Sequence, residues 1–410
     1  MISPQFARII IDPEVEHSPL ATSIRKNANG VAVSVEPTSE FAAGTRHLTL
    51  SEGKRLLLVR RFAGRSFKLC QGWKPDYACC NLHTLAEANN CSMECTYCIL
   101  QFYMTSPHLT VFGNIDDLQK EISEVAGSAP QRLFRIGTGE LSDSLLLDPL
   151  TDSTTHMVPF FRGLPNTVLE LKTKTDNIEN LLRIDGGERT VVSWSVNPSY
   201  VVARDELKTA SLDARLKAAS RVADQGYPVG FHLDPIVHYA DWKTGYREFI
   251  DQLLASVAPE RIAWISMGSL RFPPEMKSTM EQRFPRSTLR LGELVRGDDG
   301  KFHYLRPLRL EMYRWIYSHL QNQLAAAGDR GPVIYLCMEP PDVWKRVFER
   351  PAPTNAELEF EFAENFTRRF PRAALPPPSR PRYEEFAAAT AAARANGHGF
   401  VSLESLSRVD

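Results

Sequence analysis

Three thiols fall within eight positions of one short stretch, "NNCSMECTYCILQFY" (89–103), as Cys91, Cys95 and Cys98. The spacing is C-x3-C-x2-C, and no fourth cysteine follows at a comparable distance. Three thiolates from one loop can each hold an iron of a [4Fe–4S] cluster, which leaves the fourth iron open to a small molecule. A zinc knuckle is the competing chemistry, and it would need His83 or His108 to close a four-ligand shell. The chain has 7 cysteines, an odd and clustered set that argues against a disulfide framework. Cys70, Cys79 and Cys80 of "CQGWKPDYACC" read either as buried structural thiols or as a second reactive or metal-binding group. Cys337, inside the apolar "VIYLCME", reads as a small packed hydrophobe.

The elements that must position these groups follow a regular alternation. "RLFRIGTGE", "TVLELKTKT", "RTVVSWSVNP", "YPVGFHLDPIV" and "RIAWISMGSL" read as strands, and helix-like stretches such as "SLDARLKAASRVADQG" separate them. Strands alternating with helices imply βαβ units and a parallel sheet. The expected class is therefore α/β, a partial (β/α)6 barrel of the TIM type, with working residues at the C-terminal ends of its strands. Each run is apolar first and then ends in reactive types: Glu140, Lys172 and Lys174, Ser195 and Asn197, His232 and Asp234. Period-2 alternation puts Lys172 and Lys174 on one face. Three regions are expected: a β-rich segment over 1–85, the barrel over 86–340, and a Pro- and Ala-rich tail over 341–410.

Composition narrows the class. In 410 residues, 43% are hydrophobic and 24% charged, which describes a globular protein. A formal net charge of −1 gives no global pull toward nucleic acid or anionic membrane, so any such partner must meet a local patch. No run approaches the ~18 apolar residues of a membrane span. The first residues lack the basic-then-apolar layout of a signal peptide, and a cytoplasmic monomer is expected.

The cysteine loop followed by a (β/α) pattern resembles the radical S-adenosylmethionine superfamily. "CSMECTYCILQ", "ELSDS", "LKTKT", "SWSVNP", "GFHLDPI" and "YLRPLRLEMYRWI", in that order, resemble the spore photoproduct lyase family. The resemblance implies a [4Fe–4S] cluster on Cys91, Cys95 and Cys98, with S-adenosylmethionine on the open iron as source of a 5′-deoxyadenosyl radical. It implies cofactor contacts at Gly137, Gly139 and Glu140 of "RIGTGE", and at Ser142, Asp143, Lys174 and Ser195. Asn197, His232 and Asp234 stand at neighbouring strand ends as further candidates. The implied substrate is ultraviolet-damaged DNA, whose thymine photoproduct would be split at a carbon–carbon bond, with a flavodoxin or ferredoxin as reductant. A DNA-contacting β-hairpin is implied over 287–309, carrying Arg290, Arg296, Lys301, Arg306 and Arg309; its "GDDG" is a good turn on local grounds.

The resemblance fails at one step. Where the sporulation enzymes carry the cysteine that returns hydrogen to the product radical, this chain has Glu140, and their tyrosine after the third cluster cysteine is Ile99 here. A carboxylic acid has no weak X–H bond to offer a carbon radical. Tyr97, Tyr103, Cys70, Cys79 and Cys80 are the candidate replacements. The alternatives are a radical enzyme of the same family acting on another nucleic-acid, nucleotide or peptide substrate, and a non-catalytic iron–sulfur protein that binds DNA or senses redox state.

Overall fold

The computed structural model describes residues 4–70, 72, 77–326 and 331–395. Its central element is a curled sheet of seven parallel strands laid side by side in chain order. These are β1 (His83–Leu85), β2 (Phe134–Gly137), β3 (Thr167–Thr173), β4 (Thr190–Ser195), β5 (Val229–Ile236), β6 (Ile262–Ser269) and β7 (Val333–Leu336). A further strand, Phe67–Leu69, pairs antiparallel with the outer edge of β1. Parallel strands need crossovers, and helices supply most of them: α1 (Ile115–Ser128), α2 (Ser153–Gly163), α3 (Leu212–Asp224), α4 (Trp242–Ser256) and α5 (Arg306–Ala326). β3 and β4 are joined instead through short 3-10 turns. With helices against the sheet, strand residues are buried almost without interruption, as along "TVLELKT" of β3. The expected partial barrel is what forms. Beyond the five quoted runs it has one further parallel strand at each end, because β1 is too short to show a period and β7 is hidden in the "VIYLCME" run.

The regions divide differently from the expectation. Strands Arg8–Ile11, Ala32–Val35 and Leu56–Arg60 make a parallel layer with helix Pro19–Asn27, so this segment is α/β rather than β-rich. Leu109–Phe112 and Ala88–Asn89 join that layer, while Phe67–Leu69 and β1 belong to the barrel. The two sheets therefore interleave across residue 85. The C-terminal region is not a linker and tail. Helix α6 (Asn355–Arg369) opens on a Thr354–Glu357 capping box and packs on helix α7 (Arg380–Ala395). Buried Glu359 of α6 accepts Arg132 Nε at 2.6 Å and Asn81 Nδ2 at 2.5 Å, fastening the helix to the barrel. The end of the expected tail, 396–410, lies outside the described residues. Among the described residues no helix is long and apolar enough to cross a membrane.

Candidate active site

A cavity of about 420 Å³ opens at the C-terminal ends of the barrel strands. Cys91, Cys95 and Cys98 line it, together with Tyr97, Ile99, Gly139, Glu140, Ser142, Asp143, Lys172, Lys174, Ser195, His232, Asp234 and Arg271. The cysteine loop is fixed from several sides. Asn90 Oδ1 accepts the Cys91 N–H at 2.8 Å, and Glu94–Cys95 pairs antiparallel with Glu206–Leu207. Lys54 donates to the Met93 carbonyl at 2.7 Å and stands 3.5 Å from Glu94, which also receives Arg283. Burial pushes the Cys91 thiol up to about 12 and raises Cys95 as well. Thiols so buried become thiolates most readily by ligating metal. Neither His83 nor His108, the histidines a zinc knuckle would need, is among the residues that line the cavity with the three cysteines.

The rim is built by the loop after β2 and the end of β3. A Cβ at Gly139 would meet Ser144 Oγ at 3.0 Å and the Lys172 carbonyl at 3.1 Å, so glycine permits that approach. Asp143 clamps the two segments: it accepts from Leu145 N (3.1 Å), Leu146 N (3.0 Å), Thr173 Oγ1 (2.8 Å) and Lys174 N (2.8 Å). Burial nevertheless raises its pKa. Ser142 Oγ is buried at the cavity wall with no hydrogen-bond partner. An orphaned hydroxyl of this kind calls for a ligand group. Lys174 Nζ lies 5.8 Å from the centre of the Tyr97 ring.

Beneath the rim lies a carboxylate that sequence reasoning missed. Glu170 of β3 accepts Arg135 Nη2 at 2.9 Å and Nε at 3.1 Å on one oxygen. Its other oxygen takes Ser193 Oγ at 2.7 Å, Trp264 Nε1 at 2.9 Å and His232 Nε2 at 2.7 Å. Burial alone would raise its pKa, but Arg135 and His232 outweigh burial and hold it well below the carboxylate range. Burial in turn lowers the pKa of His232 against the pull of Glu170, and the ring is anchored by Nε2 on that carboxylate. Glu170, Lys172 and Lys174 fall at period 2, so the signal for a third inward-facing group was present in "LELKTK". Asp234 is held by a two-point ion pair to Arg271 at 3.2 Å; burial opposes its charge, and Arg271 still lowers its pKa.

Several expected site residues sit elsewhere. Gly137 is inside β2 with its Cα facing Leu82, away from the cavity lining. Asn197 lies under the site, donating to Glu206 at 3.0 Å and accepting from the Tyr246 hydroxyl at 3.2 Å. Tyr97 does line the cavity, but its hydroxyl is bonded to Glu206, and burial and that carboxylate raise its pKa well above the ordinary value. Glu206 is also paired with Arg215 at 2.6 Å, both side chains fully buried. Cys79 and Cys80 are not among the lining residues.

The hairpin forms within its expected span. Leu294–Arg296 pairs antiparallel with Phe302–Tyr304, closed by a turn in which Gly300 has φ +78° and its N–H reaches the Gly297 carbonyl. Arg271–Phe272 adds a third strand. The five basic residues then part company. Arg290 is buried, bonded to the Ser287 carbonyl, and Arg309 is buried on Glu339 at 2.7 Å; neither can reach a phosphate. Arg306 is surface-exposed but paired with Asp342 at 3.0 Å. Lys301 turns toward the cavity, and Arg296 is exposed on the hairpin beside Val295.

A half-barrel with three thiols in the loop after its first strand and a cavity over its strand ends defines the class: the architecture of a radical S-adenosylmethionine enzyme. The family model "Spore photoproduct lyase" matches residues 76–324, and the chain belongs to that family. It is 31% identical over 217 residues to a spore photoproduct lyase of Geobacillus sp., covering 52% of this chain and 64% of that protein. It is 25% identical to the Bacillus subtilis protein of that name, covering 70% of this chain and 84% of the other. A solved spore photoproduct lyase variant with bound AdoMet and dinucleoside spore photoproduct shares the fold. Its TM-score is 0.70 at 23% identity, over 81% of this chain and 98% of that one.

Proposed function

We propose that this protein is a radical S-adenosylmethionine lyase that repairs a thymine photoproduct in DNA, with Cys91, Cys95 and Cys98 holding a [4Fe–4S] cluster. One observation carries the reading: three thiols without a fourth ligand line the same cavity as an unpartnered buried hydroxyl and two lysines. When bound, the cluster and its cofactor supply a carbon radical able to abstract hydrogen from an unactivated position. The chain's own residues do the positioning. Ser142 and Lys174 offer a hydroxyl and an ammonium to the amino-acid end of the cofactor, and Asp143 fixes both segments through its backbone bonds. His232, braced by Glu170, and Asp234, braced by Arg271, shape the cavity wall. Exposed Arg296 and half-buried Phe302 give the hairpin a phosphate contact beside an apolar face. Glu140 lines the cavity, and a carboxyl there cannot return hydrogen to a carbon radical.

The test is anaerobic incubation of reduced, reconstituted protein with dinucleoside spore photoproduct and S-adenosylmethionine, read by mass spectrometry. Conversion to dithymidine is expected. 5′-Deoxyadenosine formed beside intact photoproduct would move the enzyme to another substrate.

A further inference from the structure

A second cavity, of about 320 Å³, lies beside the hairpin and shares no lining residue with the first. Arg204, His238, Thr288, Glu293, Tyr304 and Leu308 line it, with Gly292 in its wall. The hairpin strand Phe302–Tyr304 runs between the two: Lys301, just before it, lines the cavity over the strand ends, and Tyr304, at its far end, lines this one. Contacts fix the pocket to the barrel. The Tyr304 hydroxyl accepts the N–H of His238, two residues beyond β5, at 3.2 Å, and the two rings meet edge to face with centroids 6.3 Å apart. Arg204 donates to Asp205 at 2.5 Å and to the Tyr200 hydroxyl at 3.0 Å.

The wall suits a flat heterocycle rather than an ion. The His238 ring, the Thr288 hydroxyl and the Glu293 carboxylate are exposed, line the pocket and have no hydrogen-bond partner among the described residues. Together they offer donors and acceptors, the mixture that matches the edge of a nucleobase. Arg204 is already paired with Asp205, and Glu293 adds a negative charge, so a phosphate meets no net cation here. The Arg204 guanidinium stands 4.9 Å from the centre of the Tyr200 ring, and the Tyr239 ring lies 4.8 Å from that centre. Aromatic rings and arginines of this kind are surfaces on which bases stack. Tyr200 is 53% exposed, and Leu291, next to Gly292 in the chain, is 67% exposed, more than any other large apolar side chain described. Exposed apolar side chains beside a nucleic-acid contact can wedge between base steps and unstack them.

We propose that this pocket receives an unstacked base of the DNA strand next to the photoproduct, so that the hairpin strand parts the lesion from its neighbour. The inference rests on the DNA substrate proposed above. The test measures binding of reconstituted full-length protein to a labelled single-stranded oligonucleotide with one central spore photoproduct, by anaerobic fluorescence anisotropy. An abasic site is placed at each flanking position in turn. Wild type should lose affinity about tenfold when the base at one particular flanking position is removed, the scale of a single stacked base. Gly292→Phe fills the pocket: Gly292 has an ordinary φ of −64°, and a Cβ there would stand 3.4 Å from Tyr304 Cε1, a normal contact. This variant should bind the intact oligonucleotide about tenfold more weakly than wild type and be indifferent to the abasic site. Circular dichroism confirms its fold, and His238→Ala, at an exposed position, takes its place in the comparison if it does not fold. Conversion of the dinucleoside photoproduct, which has no flanking base, should proceed in the variant as in wild type. Absence of oligonucleotide binding, a wild type with no sensitive position, or a filled variant with wild-type sensitivity would each overturn the proposal. A wild type that shows the sensitive position and leaves the dinucleoside unconverted would count against the proposed function and leave the base pocket standing.

Discussion

Replacing Glu206 by Gln tests how the cysteine loop is held. Glu206 and Arg215 are an ion pair at 2.6 Å with both side chains fully buried, and the same carboxylate receives Tyr97 and Asn197. Burial opposes its charge, yet Arg215 and Lys174 bring its pKa from an ordinary 4.5 down to about 2. A depression of that size corresponds to roughly 3 kcal/mol of stability. Breaking a buried pair on one side costs about 3–5 kcal/mol by a separate route, since Arg215 is left uncompensated. Because the folded pKa is depressed, the contribution is fully present above the unfolded value of 4.5 and is lost as pH falls toward about 2. The assay is urea unfolding of wild type and Glu206→Gln at pH 7 and near pH 4. A penalty of about 3 kcal/mol is expected at pH 7, shrinking at the lower pH. Glu206 pairs with Cys95 across the short ladder, so the variant should also release iron faster to a chelator. A penalty under about 1 kcal/mol at pH 7, or one independent of pH, would refute this reasoning.

Other substitutions probe the remaining layers. Glu170→Gln strands Arg135 and offers an amide donor where Ser193, Trp264 and His232 already donate, so it should destabilise by about 3–5 kcal/mol in denaturant titrations. Lys174→Ala should weaken S-adenosylmethionine binding, measured by equilibrium dialysis, while iron content stays at the wild-type level. Arg296→Ala should weaken binding to irradiated duplex DNA and lower the salt slope by about one, read by fluorescence anisotropy. Arg309→Ala should instead destabilise the fold by about 3–5 kcal/mol, because Glu339 is left buried without its partner.

The parallel strands were legible because each is an apolar run bounded by turn residues, and their reactive ends therefore fell at the cavity. The hairpin was legible from its "GDDG" turn. Which of its arginines face solvent was not: Arg309 and Arg296 look alike in sequence, and only the docking of α5 against Glu339 separates them. Asn197 followed the strand-end rule but lies two residues beyond β4, where its side chain bonds Glu206 and Tyr246 instead of lining the cavity. The Pro-rich approach to α7 looked like a linker because composition records the exposed face. Buried Glu359, Phe366 and Tyr383 carry the docking contacts, and they are too widely spaced to show as a block.

The most direct test of the central claim uses reduced, reconstituted protein and S-adenosylmethionine alone, without any DNA. Wild type should form 5′-deoxyadenosine and methionine, and Cys95→Ala should form neither. A wild-type protein that holds its iron, takes up an electron and leaves S-adenosylmethionine intact would contradict the account.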